Sequence, residues 1–160
     1  MTERVFISED VFFSIPKILI YLNRSLTDSI RTVKLSENND KAIITPNELG
    51  RGKVLFAKTC SACHTGGITK TNPNIGLALS TLKNAIPERD NVVNLVQYMK
   101  YPTAYDGTFT LNETHPNTTF AVFFPSMRTL TEKDLYSIAG YILVQAQVLG
   151  EKWGGGKVYY

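Results

Sequence analysis

The stretch "CSACH", Cys60 to His64, has more influence on the expected fold than any other part of this 160-residue chain. Its two cysteines are the only ones present, too few for a disulfide framework or a four-cysteine zinc site. The C-x-x-C spacing is compatible with a redox dithiol, half of a metal site or covalent haem attachment. His64 favours haem, because two thioethers would hold the porphyrin while the adjacent histidine binds iron from one face. We therefore predict one covalently bound haem c on Cys60 and Cys63, with His64 as the proximal iron ligand.

The segment before this motif is predicted to be a helix. "TPNE" opens it well, with Thr45 as N-cap, Pro46 at the first position and Glu48 at the third. A thioredoxin-like dithiol would follow a strand, whereas this cysteine pair ends a helix. Gly50 and Gly52 weaken the helix, so we expect something to approach it closely there. The residues expected to face the core are Leu49, Val54, Leu55 and Ala57.

The rest of the chain predicts a mainly α fold, a class I cytochrome c-like helical domain with a short N-terminal β-hairpin and an extended C-terminal tail. The hairpin should turn at Asn38-Asn39, and the loop "HTGGITKTNPNIG" should follow the haem motif. Gly140, in the C-terminal helix, is expected to allow close contact with the first helix. Three further helices are predicted, and the first of them covers "LALSTLKNA". The second, "RDNVVNLVQYMKYP", should be capped by Asp90 and should bury Val93, Leu95, Val96 and Met99. The last, "LTEKDLYSIAGYILVQAQ", has Thr131 as N-cap and Asp134 at its third position, and it should bury Leu135, Ile138, Ala139, Ile142 and Leu143.

Composition limits the possible functions. Hydrophobic residues make up 43% and charged residues 19%, an ordinary globular balance for a single domain over residues 24–160. The formal net charge of +3 comes without any dense Lys/Arg run, which argues against nucleic-acid binding and permits docking to an acidic protein surface. Residues 1–23 are interpreted as a leader or an atypical N-terminal segment. Their apolar run is interrupted by Pro16 and Lys17 and is too short for a spanning helix.

Two residues compete to be the second iron ligand. His115 lies in the loop stretch "NETHPN", and Met127 stands just before the C-terminal helix, where many class I cytochromes c supply a methionine. Met127 could equally be a core filler, and His115 an exposed loop histidine. The residues alone leave the two candidates nearly even. Histidine would favour the ferric state and a low potential, whereas methionine would raise the potential.

Several longer stretches are similar to a known family, cytochrome c-550, the extrinsic lumenal subunit of photosystem II. The resemblance implies that His115 is the distal ligand, giving a low-potential bis-histidine haem. It also implies an electron-transfer or structural protein rather than an enzyme. Such a protein would lie in the thylakoid lumen of a cyanobacterium or plastid. It would bind lumenal subunits of photosystem II and associate peripherally with the membrane through these protein partners. In that position it would stabilise the oxygen-evolving cluster. The stretches are "CSACHTGGITKTNPN", "YPTAYDG", "THP", "FPSMRTLTEKDL", "IAGYI" and "LGEKWGGGKVYY".

Some features depart from the family pattern. Tyr141 stands where a histidine is expected, and the chain outside residues 1–23 is basic where the family is expected to be acidic. These departures keep open a cytochrome c-550-like paralogue that is not stably bound to the photosystem. Ligation by Met127 would instead favour a second alternative, a soluble lumenal electron carrier with His/Met ligation. We further expect Thr71, Asn72 and Pro73 to shape the loop beside His64 and to offer polar contacts there. Trp153 is either an interface anchor or a packed end of the domain, as are Tyr159 and Tyr160.

Overall fold

A small antiparallel hairpin leads into a set of helices that build the core. A computed structural model describes residues 27–154. The predicted leader, Tyr159 and Tyr160 lie outside these residues, as does most of the predicted tail. The elements are β1 (Thr32–Lys34), β2 (Lys41–Ile43), α1 (Pro46–Thr59), α2 (Ser61–His64), α3 (Leu79–Lys83), α4 (Val92–Lys100) and α5 (Glu132–Leu149), with 3₁₀ turns at Thr65–Gly67, Pro125–Met127 and Gly150–Lys152.

The hairpin forms as predicted. Val33 pairs with Ala42, and the chain reverses through Asn39, whose φ of 65° is a left-handed conformation that asparagine tolerates. Directly after β2, Ile44 is fully buried, and its backbone N–H donates to the carbonyl of Arg31. The hairpin therefore packs its end against the helices rather than standing apart.

Helix α1 begins as predicted but ends earlier. Thr45 and Glu48 form a capping box in which each side chain accepts from the other's backbone N–H. The helix stops at Thr59, because Cys60 has a φ of −117° and breaks the regular backbone before α2. The buried residues Leu49, Gly52, Leu55 and Phe56 lie on one face at i, i+3, i+6 and i+7. The expectation that Val54 and Ala57 face the core was wrong, since both are exposed on another face.

The first and last helices cross at a glycine, but not at the one expected. A Cβ on Gly52 would lie 2.0 Å from the carbonyl oxygen of Ser137 in α5, so only glycine fits at this crossing. The expected close contact of α1 with the part of α5 around Gly140 does occur, at Ser137 and Tyr141, but Gly52 is the glycine that permits it. Gly140 itself faces the side chain of Ile44, which a Cβ at Gly140 would approach to 2.7 Å. A Cβ on Gly50 would meet no other part of residues 27–154 within 4 Å outside its own helix, so Gly50 is not part of the crossing.

The other helices follow the sequence pattern with two corrections. Asn91, not Asp90, caps α4, since its side chain accepts from the N–H of Asn94, while Asp90 pairs with Lys34 of β1. Val93 was expected inside but is 49% exposed. Helix α5 agrees with its prediction: Thr131 and Asp134 form a capping box, and the five residues expected inside are all buried. The mainly α class is confirmed, and no helix within residues 27–154 is long and apolar enough to cross a membrane.

Candidate haem-binding site

The C-x-x-C-H motif forms a single helical turn at the end of α1. The carbonyl oxygen of Cys60 accepts from the backbone N–H of Cys63 at 3.1 Å and of His64 at 2.9 Å. Positions i, i+3 and i+4 of such a turn lie on one side of the helix, so both sulfurs and the imidazole can reach one planar group. Cys63 is exposed, whereas Cys60 is half-buried, and burial raises the pKa of its thiol.

His64 is oriented by the loop that follows it. Its Nδ1 lies 2.9 Å from the carbonyl oxygen of Ile68 and 3.2 Å from the hydroxyl of Thr69. Burial lowers the pKa of His64, which favours the neutral imidazole that binds metals. A Nδ1–H donated to a carbonyl leaves Nε2 free as the ligating atom. The polar contacts expected from Thr71, Asn72 and Pro73 come instead from Ile68 and Thr69, and those three residues are exposed.

His115 is held by an irregular loop. Its backbone N–H donates to Leu111, and its Nδ1 lies 2.8 Å from the carbonyl oxygen of Pro116. Burial, with smaller contributions from the charges of His64 and Arg89, lowers the pKa of His115 to about 4. His115 is therefore also a neutral imidazole at pH 7, and among residues 27–154 its only side-chain hydrogen bond is the one at Nδ1.

The two histidines face each other. Their ring centres are 6.1 Å apart, and the ring planes are inclined at 45°. A metal bound to one nitrogen of each ring at about 2 Å would hold the ring centres roughly 6 Å apart. Within residues 27–154 no three His, Cys, Asp or Glu side chains are grouped to hold a bare metal ion. A pair of imidazoles fits haem iron instead, because the porphyrin supplies the other four nitrogens.

Met127, the rival ligand, is a buried residue. It is 4% exposed and ends the 3₁₀ turn Pro125–Met127, which contacts α1. The ring that the structure brings against His64 is that of His115. The geometry therefore favours the histidine of the two candidates that the residues left open.

An aromatic cluster lies behind the motif. Trp153 packs against Phe56 at 5.7 Å and edge-on against Tyr141 at 6.1 Å between ring centres. Trp153 is 3% exposed, so of its two predicted roles it is the packed end of the domain. Its Nε1 has no hydrogen-bond partner among residues 27–154. Tyr141, the departure from the family pattern, takes part in this cluster.

Sequence reasoning missed one residue near His115. Tyr98, on α4, lies edge-on to His115, with the two ring centres 5.0 Å apart. Behind Tyr98 stands the guanidinium of Arg89, 4.2 Å from the tyrosine ring centre. Arg89 gave no signal in the sequence, because an arginine between Glu88 and Asp90 has the appearance of an exposed, solvated position.

Comparisons with known proteins identify the family of this chain. A family model described as the cytochrome c-550 domain matches residues 24–160. Photosystem II extrinsic protein V of Gracilaria tenuistipitata var. liui is 52% identical over 135 residues, which are 84% of this chain and 82% of that protein.

Two solved structures are also similar. The crystal structure of cytochrome c549 matches with a TM-score of 0.78 and 42% identity, covering 80% of this chain and 99% of that one. The PsbV2 cytochrome of Thermosynechococcus elongatus matches with a TM-score of 0.62 and 31% identity, covering 72% of this chain and 82% of that one. The first match confirms the predicted class I cytochrome fold. The chain therefore belongs to the cytochrome c-550 family, whose cofactor is haem.

Proposed function

We propose that this protein is a monohaem c-type cytochrome that serves as an extrinsic subunit of photosystem II. Cys60 and Cys63 would hold the haem by thioether bonds, and His64 and His115 would bind its iron from opposite faces. The observation that carries this proposal is the 6.1 Å separation of the two imidazole rings. Haem, when bound there, supplies a one-electron Fe(III)/Fe(II) couple.

The hydrogen bonds of both histidines support their role as ligands. Each Nδ1 is close to a backbone carbonyl, that of Ile68 for His64 and that of Pro116 for His115. These contacts fix the ring orientation and make Nε2 a better donor. Two imidazole donors favour ferric iron, so we expect a low potential. They also leave no ligand position open for oxygen or peroxide, which fits a protein that is not an enzyme.

The assignment to photosystem II rests on the relatives, which are named for that complex. We propose that the protein docks peripherally on lumenal subunits at the thylakoid membrane and stabilises the oxygen-evolving cluster. The rival functions are a soluble lumenal electron carrier with Met127 on the iron, and a paralogue that does not bind the photosystem stably. The formal net charge of +3 is the observation that favours the paralogue, because the family is expected to be acidic.

A redox titration of variants tests the ligand assignment. His115→Met should raise the midpoint potential, on the order of a hundred millivolts or more. Met127→Leu should leave the potential and the visible spectrum nearly unchanged, because a volume-conserving core swap costs little. A large change in Met127→Leu with none in His115→Met would assign the iron to methionine and favour the soluble carrier.

A reconstitution tests the docking. Photosystem II particles washed free of extrinsic proteins would be incubated with the holoprotein, and bound haem and oxygen evolution at low calcium and chloride would be measured. We expect stoichiometric binding and partial recovery of oxygen evolution. A protein that carries a bis-histidine haem but neither binds nor restores activity would be the paralogue.

A further inference from the structure

Arg89 is a buried cation that is paired with no acidic side chain among residues 27–154. It is 7% exposed, and its hydrogen-bond partners within these residues are all neutral groups. The other buried charged residues within residues 27–154 each have an opposite partner. These pairs are Arg31 with Asp28, Asp90 with Lys34, and Asp134 with Arg51. Burying an unneutralised charge is costly, so its retention at this position points to a role.

The partners of Arg89 fix its guanidinium. Nη2 donates to the carbonyl oxygens of Thr103 at 3.0 Å and Ala104 at 2.8 Å, and it also lies 3.1 Å from the Thr103 hydroxyl. The two acids beside it in the sequence are engaged elsewhere, since Glu88 and Asp90 both bind Lys34. Arg89 is therefore a fixed positive charge rather than half of an ion pair.

This charge lies close to the candidate ligand His115. The guanidinium carbon stands 4.2 Å from the centre of the Tyr98 ring, and that ring is 5.0 Å from the imidazole of His115 in an edge-on arrangement. The guanidinium is thus at most about 9 Å from the His115 ring, through packed side chains rather than water. Over such a path the field of a charge is screened much less than at the surface.

We propose that Arg89 tunes the iron site electrostatically, raising the midpoint potential above the value that two histidines alone would give. The proposal rests on the proposed haem between His64 and His115. Reduction adds one electron to the ferric site and lowers its charge by one unit. A fixed positive charge nearby favours the less positive, reduced state. Arg89 would act on the iron site through the electric field of its guanidinium, across the ring of Tyr98. It is a positioning residue that does not bind iron.

Neutral and charged replacements of Arg89 separate charge from shape. The variants are Arg89→Met and Arg89→Gln, which remove the charge, and Arg89→Lys, which keeps it. Arg128→Met is the matched control, because Arg128 also donates to two backbone carbonyls, those of Ala121 and Val122, but is exposed. Each holoprotein would be titrated against a reference mediator in low and high salt, with an EPR spectrum of the ferric form.

We expect both neutral variants to be harder to reduce. At a fixed ambient potential the ratio of reduced to oxidised protein should fall on the order of tenfold, which is about 59 mV for one electron. The midpoint potential of Arg89→Lys should remain closer to that of the unmodified protein, and the midpoint potential of Arg128→Met should equal it. The shift in the neutral variants should persist in high salt. Glutamine keeps an amide donor for the 103–104 carbonyls, so it provides the neutral variant if methionine does not fold.

The proposal would be overturned if the neutral variants had the same midpoint potential as Arg128→Met. It would also be overturned if the midpoint potential of Arg89→Lys fell as far as that of Arg89→Met. The first outcome would show that the charge has no effect, and the second that the guanidinium shape matters instead. The ligand assignment is read separately, from the EPR signal of the unmodified protein. A bis-imidazole signal without any Arg89 effect refutes this proposal alone, whereas a potential shift without that signal refutes the ligand assignment alone.

Discussion

The two histidines reach the same site by opposite routes. His64 is positioned within its own segment: a helical turn joins it to Cys60, and its ring partner, the carbonyl of Ile68, is four residues further on. His115 lies in a loop without regular structure, and its neighbours Tyr98 and Arg89 come from α4 and the segment before it. A local motif is sufficient for the first ligand, whereas the second depends on tertiary contacts.

This difference determines which substitutions disturb the position of each histidine. The His64 side depends on α1 keeping its close crossing with α5. The His115 side depends on polar groups that tie an irregular loop together. Substitutions can therefore be aimed at one side at a time, with the opposite histidine as the internal reference.

The largest effect is expected at Gly52, on the His64 side. Gly52→Val would drive side-chain atoms into the carbonyl of Ser137, which a Cβ alone would approach to 2.0 Å. Overpacking against backbone should cost about 3 kcal/mol of unfolding free energy or more. Denaturant unfolding of the holoprotein, followed by circular dichroism and by the Soret band, measures this loss.

Gly50→Ala is the matched control on the same helix. A methyl group added at Gly50 would have no neighbour within 4 Å among residues 27–154 outside its own helix. Replacing a helical glycine by alanine should stabilise the protein by roughly 0.5–1 kcal/mol. Equal destabilisation by the two substitutions would contradict the crossing described above.

On the His115 side the expected weak point is Asn117, which is fully buried. Its Nδ2 donates to the carbonyls of Asn112 and His115, and its Oδ1 accepts from the N–H of Phe120. Asn117→Asp keeps the size and one acceptor but loses both donors, at a cost of about 2–3 kcal/mol. We expect the ferric spectrum to change at the distal ligand while haem stays attached. Loss of haem attachment itself would mean that the two sides are not separable.

A smaller effect is expected at Asp134, in the helix that both sides share. The backbone N–H of Thr131 and the Arg51 guanidinium hold the pKa of this carboxyl below its usual value of 3.8. A lowered pKa stabilises the folded state above that value, and the contribution is lost as pH falls through the folded pKa. Asp134→Asn should lower the free energy of unfolding by about 1 kcal/mol at pH 7. The difference in unfolding free energy between this variant and the unmodified protein should shrink below about pH 4. A difference that did not change with pH would show that the charge is not responsible.

The smallest effect is expected at Thr69. Thr69→Val removes one of the two groups near Nδ1 of His64, but the carbonyl of Ile68 remains at 2.9 Å. We expect an unchanged haem spectrum and a loss of less than about 1 kcal/mol. A change in ligation as large as that of Asn117→Asp would show that His64 is no better fixed than His115.

The same contrast explains what the sequence could predict. Capping boxes at Thr45 and Thr131, the hairpin turn at Asn39 and the haem motif depend on neighbouring residues, so short patterns revealed them. The crossing at Gly52 and the face of α1 that is buried depend on what packs opposite. The pattern therefore assigned the close approach to Gly140 instead of Gly52 and put Val54 inside.

The site divides in the same way. His64 could be assigned a role from five letters, whereas His115 and Met127 could not be separated without the family resemblance. Arg89 could not be found at all, because its significance arises from the folded path through Tyr98 to His115. Long-range polar and charged contacts are the part that local patterns do not encode.

The most direct test of the central claim is the low-temperature EPR spectrum of the oxidised holoprotein. With His64 and His115 on the iron, we expect a single low-spin ferric signal of the bis-imidazole type, with no high-spin component. A thioether-type signal would place Met127 on the iron, and a high-spin signal would mean an open distal position. Either result would contradict the account in which two histidines face each other across the haem.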